Sequence, residues 1–586
     1  MARFPSFQKI IDGTRNTILK FPLETLTAIL GTTISIYLSE QHNHPMEQTY
    51  IKILLCCSLW LVLFLSISLY FSKDLQNKVY RFGASLLLGG IVALFVFNFS
   101  EPIKTHEVYQ FIALDLALHL LVSFAAFIPK KYDAEAFWEF NKQLFLRILT
   151  GGLYSLVIYG GLSFALLATT QLFEIEFYNT IYLHLFFIIA GIFNTIFFLS
   201  GVPETDDTTV PLTLNYPIGL KKFTQYVLIP LISIYLVILL SYELKIIATF
   251  SLPIGWVSNL ILVFAIFGIL SLLLIYPIAK DVENVWIRTF HKWFYYLLVP
   301  LLGLLFWAIL YRINLYGITH ERYFVLALAL WLTLLTAYFI FKKNPEIKFI
   351  PITMCVIALL TIIGPQSADS VSKRSQLSRF ENLLSLGSQK PLTIPQEQDL
   401  SSIVTFINKN YGHEVLIPLS KKIAQLSQKD KDPSNQDLMK ALGYKYRNSY
   451  DGDEINEQIY YYYNNNNTVI IDKVTGYDFA FVMNNYDTLN CTNCMELNNT
   501  NYSISSTKTD YGLDLKINGT VIPIKINDFV HSNPDFKKKE RNTKIIQTIS
   551  TPKYDLNLHY DSATIYTNQT KVESYNIKAL LKIKKQ

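Results

Sequence analysis

The chain has 586 residues, 51% of them hydrophobic and only 16% charged, with a mean hydropathy of +0.28. Soluble proteins average about 25% charged residues, so this balance excludes an ordinary water-soluble enzyme and points to a polytopic membrane protein. The net charge of +6 is dispersed over the whole length and excludes a nucleic-acid footprint, and five cysteines are too few for a disulfide framework.

Residues 1–20 carry Arg3, Lys9, Arg15 and Lys20, with Ile10, Ile11, Ile18 and Leu19 interleaved. This pattern predicts a basic amphipathic helix on the cytoplasmic membrane surface, and the apolar run that follows reads as an uncleaved anchor. A span needs about 20 apolar residues to cross a hydrocarbon layer of about 30 Å. About eleven segments meet this or come close: 21–39, 51–71, 80–99, 108–128, 145–168, 178–200, 223–242, 255–276, 293–311, 321–341 and 349–364. Each is expected to be a helix, because lipid offers no partner for an open backbone. The alternate connections on one side hold nineteen Lys and Arg against five on the other. Basic residues stay on the cytoplasmic side, so the N-terminus is expected there, in a bacterial inner membrane. An odd number of crossings then delivers the C-terminus outside. The polytopic domain is accordingly 21–364, with a linker over 365–376 and an extracytoplasmic domain over 377–586.

Within this half, four groups of residues bear chemistry. Glu40, His42, His44 and Glu47 crowd the first outer connection and are candidate metal ligands, although short polar loops collect such residues without any site. Asp115 and His119 are four apart inside a span and share one helix face. They mark either an ion or proton path or an interhelical hydrogen bond. Arg312, Tyr316 and Arg322 flank a Tyr-Gly turn at the outer surface and are candidates for an anionic ligand, or else guanidiniums that snorkel from helix ends. The stretch 252–256 reads as an interfacial turn with Trp256 as anchor. Paired glycines at 89–90, 151–152 and 160–161, with Gly83, predict closely crossing helices.

Beyond Gly364 the composition turns polar. Leu377, Phe380, Leu383 and Leu384 recur at helical spacing, and further helices are expected over 398–409, 416–428 and 435–442. From about residue 457 the period becomes two, with strands expected over 458–463, 467–472, 478–483, 501–506, 512–517, 520–526, 543–549, 553–560 and 562–567. Asn518-Gly519 fits a two-residue hairpin turn that pairs Ile517 with Thr520, Leu515 with Ile522 and Leu513 with Ile524. The expected fold is therefore an all-α membrane bundle followed by a soluble α+β domain with an antiparallel sheet. Cys491 and Cys494, in an Asn-rich loop, read as a local disulfide; redox chemistry or zinc binding lacks the flanking groups. No phosphate-binding loop, dinucleotide fingerprint, nucleophile elbow or zincin motif occurs, so no cofactor is expected.

The segments 215–231 (NYPIGLKKFTQYVLIPL), 252–257, 312–323 (RINLYGITHERY) and 364–376 (GPQSADSVSKRSQ) together resemble bacterial membrane proteins carrying domain of unknown function 4153. The resemblance covers about residues 15–380. It implies a bacterial inner-membrane protein with a polytopic core and imports no substrate, cofactor or catalytic residue. Three functions compete: an accessory or binding protein that shows a periplasmic domain to an envelope glycan, lipid or protein; a transporter or flippase-like carrier using Asp115 and His119; and a transferase acting on lipid-linked sugars or phosphates.

Overall fold

Apolar runs too long for any soluble core become the helices of a bundle. The computed structural model describes residues 7–40, 46–71, 78–128, 133–175, 177–178, 180–203, 216–249, 257–279, 285–448, 461–464, 474–485, 489–537, 545–565 and 572–584. His42, His44, the 252–256 turn and the expected strand at 467–472 lie outside these residues. The chain divides into two units, one of residues 1–392 and 399–446 and the other of residues 393–398 and 447–586.

The first unit begins with α1 (Phe7–Lys20), bent by 102° from α2 (Pro22–Glu40). There follow α3 (Glu47–Tyr70), α4 (Lys78–Phe97), α5 (Thr105–Ala125) and the 40-residue α6 (Ala134–Phe173). α7 (Thr180–Phe187) and α8 (Asn194–Ser200) make one rod through a π-helical turn, as do α9 (Ile218–Phe223) and α10 (Ile229–Thr249). α11 (Val257–Ile275), α12 (Val285–Tyr316), α13 (His320–Phe341) and α14 (Phe349–Ile362) complete the bundle. Among the described residues nine helices are long and apolar enough to cross a membrane, ten with the bent pair; the 14-residue α14 is apolar but shorter. The count is close to the eleven expected, and the rods overlap the predicted segments in order.

Two apolar cores hold the first half of the bundle, with Cys56, Leu59 and Val96 in one and Phe140, Ala117 and Ala125 in the other. A third joins α10 to α13 around Ile261, Leu301, Leu305 and Leu335. Of the paired glycines, Gly89 packs on Phe64 and Gly151 on Asn194, whereas Gly83, Gly90, Gly152, Gly160 and Gly161 face open space. Of these paired positions, two are therefore close crossings, while the unpaired Gly31, Gly191 and Gly268 also meet neighbouring helices, at Cys57, Thr32 and Phe294.

Directly after α14, Ser367 accepts from the Ser370 amide and caps α15 (Ala368–Gln389). Residues 368–376, expected as linker, are therefore the first turns of a helix; a run of Ser, Lys and Arg hid its small apolar stripe. α16 (Ile394–Tyr411), α17 (Lys421–Lys429) and α18 (Asn435–Leu442) stack on it around Phe380, Leu400, Val404, Leu416, Ile423 and Leu438. α18 starts in a Ser434–Asp437 capping box and stops at Gly443, whose φ is +92°.

The second unit holds two antiparallel sheets. β1 (Tyr461–Asn464), β2 (Phe479–Asn484), β7 (Ile545–Ser550), β8 (Tyr554–Ile565) and β9 (Val572–Ile583) form one, in the order β1-β8-β9-β2 with β7 also on β8. β3 (Asn490–Leu497), β4 (Thr500–Thr509), β5 (Gly512–Ile517) and β6 (Thr520–Ile524) form a meander, and α19 (Ile526–Ser532) follows it. The Asn518-Gly519 hairpin has the expected register, with Ile517, Leu515 and Leu513 opposite Thr520, Ile522 and Ile524. Leu515, Ile517, Ile522 and Ile524 meet Leu556, Leu558, Ile577 and Leu581 of the other sheet in one core. The strands expected over 553–560 and 562–567 are, in the described residues 554–565, one strand with an irregularity between Tyr560 and Ser562, where its edge partner changes from β7 to β1. β3 and β9 lie where no strand was expected. β3 carries the Cys491–Cys494 disulfide across a bulge, so the cystine sits in a strand and not in a loop.

Candidate functional site where two spans meet the helical layer

The densest polar chemistry of the first unit lies where α5, α12 and α13 reach α15 and α16. α12 ends at Gly317, whose amide donates to the Ile313 carbonyl at 2.8 Å with φ at +68°, the left-handed cap that glycine adopts without strain. The carbonyls of residues 315 to 318 lack a helical partner at this end, and side chains from two other helices take them. Arg379 Nη1 donates to Leu315 O at 2.7 Å, and Arg322 Nη1 donates to Tyr316 O at 3.0 Å and Gly317 O at 2.8 Å. Gln376 Nε2 donates to Tyr316 O and Ile318 O at 3.1 and 3.0 Å, and the Ile318 amide donates to Ser375 Oγ at 2.9 Å. A Cβ on residue 317 would meet Arg379, Gln376 and Ser375 within about 3.1 Å, so the turn and α15 interlock at backbone distance.

His320, the first residue of α13, is 1% exposed and lies between the rings of Tyr109 and Phe406, with centroids 5.3 and 5.5 Å away. Its Nε2 is 3.2 Å from Tyr411 Oη and 3.8 Å from Asp369 Oδ1, while His106 Nε2 is 4.0 Å from the same carboxylate oxygen. Tyr411 Oη donates to the Asp369 carbonyl at 3.3 Å, Tyr109 Oη to Glu321 Oε1 at 2.8 Å, and Lys104 Nζ to Tyr411 O at 3.0 Å. Burial would raise the Asp369 carboxyl. The nearby His320 and His106 imidazoles and the Tyr411 hydroxyl outweigh it and hold the group below its usual value. Burial, then Asp369, pushes the Tyr411 phenol well up, so it stays protonated and acts as a donor.

The arrangement does not fit a metal. Two donors on one zinc stand about 3.3 Å apart at ordinary bond lengths, closer than the 3.8 and 4.0 Å found here. The Nδ1 atoms of His106 and His320 also lack the hydrogen-bond partner that a ligating imidazole carries. His320 itself is 1% exposed, and solvent reaches the cluster at Asp369 and His106, whose side chains are 26% and 15% exposed. What the geometry does is fasten helices to one another.

The remaining candidates lie apart. Glu40 pairs with His184 Nε2 at 2.9 Å, and Glu47 opens α3; with His42 and His44 outside the described residues, the four are not seen together. Among the described residues no three His, Cys, Asp or Glu side chains gather to hold a metal. Asp115 and His119 bond to each other on an exposed face of α5. Arg322 is engaged by carbonyls and stands over the Tyr316 ring at 5.3 Å, with Arg312 one turn earlier on α12. His106, Tyr109, Asp369, Gln376, Arg379 and Tyr411 were not singled out from the sequence, because no local pattern links residues so far apart in the chain. Yet the stretches 312–323 and 364–376, two of those carrying the family resemblance, are the two sides of this joint.

A comparison with family models matches residues 26–390 to a domain of unknown function, DUF4153. The chain belongs to that family. The DUF4153 region thus takes in the bundle and ends with α15, so both stretches of the joint fall inside it. The chain is also 26% identical over 360 residues to an uncharacterized protein of Pasteurella multocida (strain Pm70), an alignment covering 59% of this chain and 57% of the relative. It therefore spans less than two thirds of that relative's length. No solved structure matches.

Proposed function

We propose that the protein is an accessory or binding protein of the bacterial inner membrane, whose bundle carries the C-terminal segment on the extracytoplasmic face to meet a cell-envelope glycan, lipid or protein. One observation supports the reading: the polar groups at the joint are engaged with backbone carbonyls and with one another, and so fasten helices together. The excess of basic residues on alternate connections supports the orientation. In the second unit, a cleft of about 130 Å³ lined by Asn485, Lys508, Asp510, Asn527 and Tyr575 is below the roughly 300 Å³ of ordinary ligand pockets. A surface contact suits that unit better than an enclosed substrate.

The carrier reading requires Asp115 and His119 to line a cavity between helices, and their exposed position on α5 does not favour it. The transferase reading requires the first outer connection to share a pocket with Arg312 and Arg322; Glu40 and Arg322 are instead tied to His184 and to backbone carbonyls. Reporter fusions after residues 75, 345 and 586 test the orientation. Alkaline phosphatase is expected to be active only at 586, and a cytosolic fluorescent reporter only at 75 and 345. The opposite pattern removes the proposal. Co-sedimentation of the purified full chain with isolated peptidoglycan and with phospholipid vesicles tests the binding role, and uptake assays in proteoliposomes test the carrier.

A further inference from the structure

α5 is held on two sides. Ala113, Ala117 and Leu118 are buried toward its neighbours, and Cys355 of α14 donates to the Ala117 carbonyl at 3.3 Å. Its remaining face is open: Val108, Ile112 and Leu116 are exposed there at successive turns. Asp115 and His119 break this apolar stripe near the middle of the 21-residue helix, with side chains 34% and 57% exposed. His119 Nδ1 is satisfied within the helix, 2.9 Å from the Asp115 carbonyl and 3.3 Å from Asp115 Oδ2. Both side chains nonetheless keep part of their surface on the open face.

Ionisable groups in the middle of a span ordinarily point into a bundle or pair with another chain, because hydrocarbon leaves outward donors and acceptors unpaired. The exposed face of α4 shows the contrast. Leu86, Leu87, Gly90, Ile91, Leu94 and Phe97 form an apolar depression with no ionisable group in its lining.

We infer that the Asp115–His119 face of α5 is the contact surface for a second copy of this chain, related by a two-fold axis along the membrane normal. The argument for a copy is charge complementarity. The face offers one acid and one base a single turn apart, so a two-fold sets the acid of each copy diagonally opposite the base of the other, at the i to i+4 offset of parallel helices. Two equivalent contacts then form at once, and the apolar residues at 108, 112 and 116 seal them above and below.

The test uses the full chain in native membranes and in detergent. Ile112→Cys is expected to give a disulfide-linked dimer under mild oxidation, whereas Leu87→Cys on the α4 face is expected to give none. Native mass spectrometry of the unmodified chain is expected to show a dimer. Asp115→Leu should lower the dimer association constant by about threefold for each lost contact, and so about tenfold for the symmetric two. Asp115→Asn, which keeps an acceptor, should lose less. A monomer in both media overturns the inference, as does a dimer that links through position 87 and not 112. Equal association for Asp115→Leu and the unmodified chain also overturns it.

Discussion

At the joint, Asp369 faces two imidazoles and makes no hydrogen bond through Oδ1. A carboxyl with a depressed folded-state value stabilises fully above the unfolded value of about 3.9 and loses that contribution as pH falls through the folded value. Fastening of α15 to the bundle should therefore persist from neutral pH to about pH 4 and weaken below it. Limited proteolysis of residues 364–392 across pH 3 to 7 measures this, and Asp369→Asn should flatten the acid limb. Gly317→Ala should cost about 1–2 kcal/mol for its left-handed backbone alone, and more because Arg379 and Gln376 must move. Thermal melting in detergent would show it, with the joint cleaved earlier than the second unit. Tyr411→Phe removes one donor among several and should cost about 1 kcal/mol in the same assay.

The elements differ in how openly the sequence announced them. The bundle helices were readable because each must satisfy its own backbone in lipid, so length and hydropathy alone decide. The Asn518-Gly519 hairpin was readable because its turn sets the register and five apolar side chains confirm it. β9 was hidden by its lysines: Lys578 stands between inward Ile577 and Ala579, Lys582 follows inward Leu581, and the strand ends in a basic tail. β3 was hidden because Cys491-Thr-Asn-Cys494 bulges, and a bulge breaks the alternation that identifies a strand. The candidate site was the least readable, because it depends on which helix ends meet. Its members lay in noticed segments, His320 and Arg322 in one and Asp369 and Gln376 in the other, but nothing local linked the two, and Tyr411 had no feature to distinguish it from any solvated tyrosine. The cystine closes only a four-residue ring, so reduction should cost about 2 kcal/mol. Hydrogen exchange should show that loss at β3 and β4 and leave the five-stranded sheet unchanged.

At the scale of the whole molecule, the two units have separate cores, one of helices and one between sheets. Thermal unfolding in detergent should therefore proceed in two transitions, with Leu515→Ala lowering one and Leu301→Ala the other, each by about 2–5 kcal/mol. A single transition shifted by both would show one cooperative body instead. The apolar run of α6, between Arg147 and the Thr-Thr-Gln at 169–171, is about 32 Å long at 1.5 Å per residue, which a modest tilt fits to a hydrocarbon layer of about 30 Å. The rod begins well before it, at Ala134, so its first turns, about 21 Å of helix at the same rise, stand clear of the hydrocarbon. α6 should therefore carry the fold past the lipid on the side that Lys142 and Arg147 mark, as a post rooted in the bilayer.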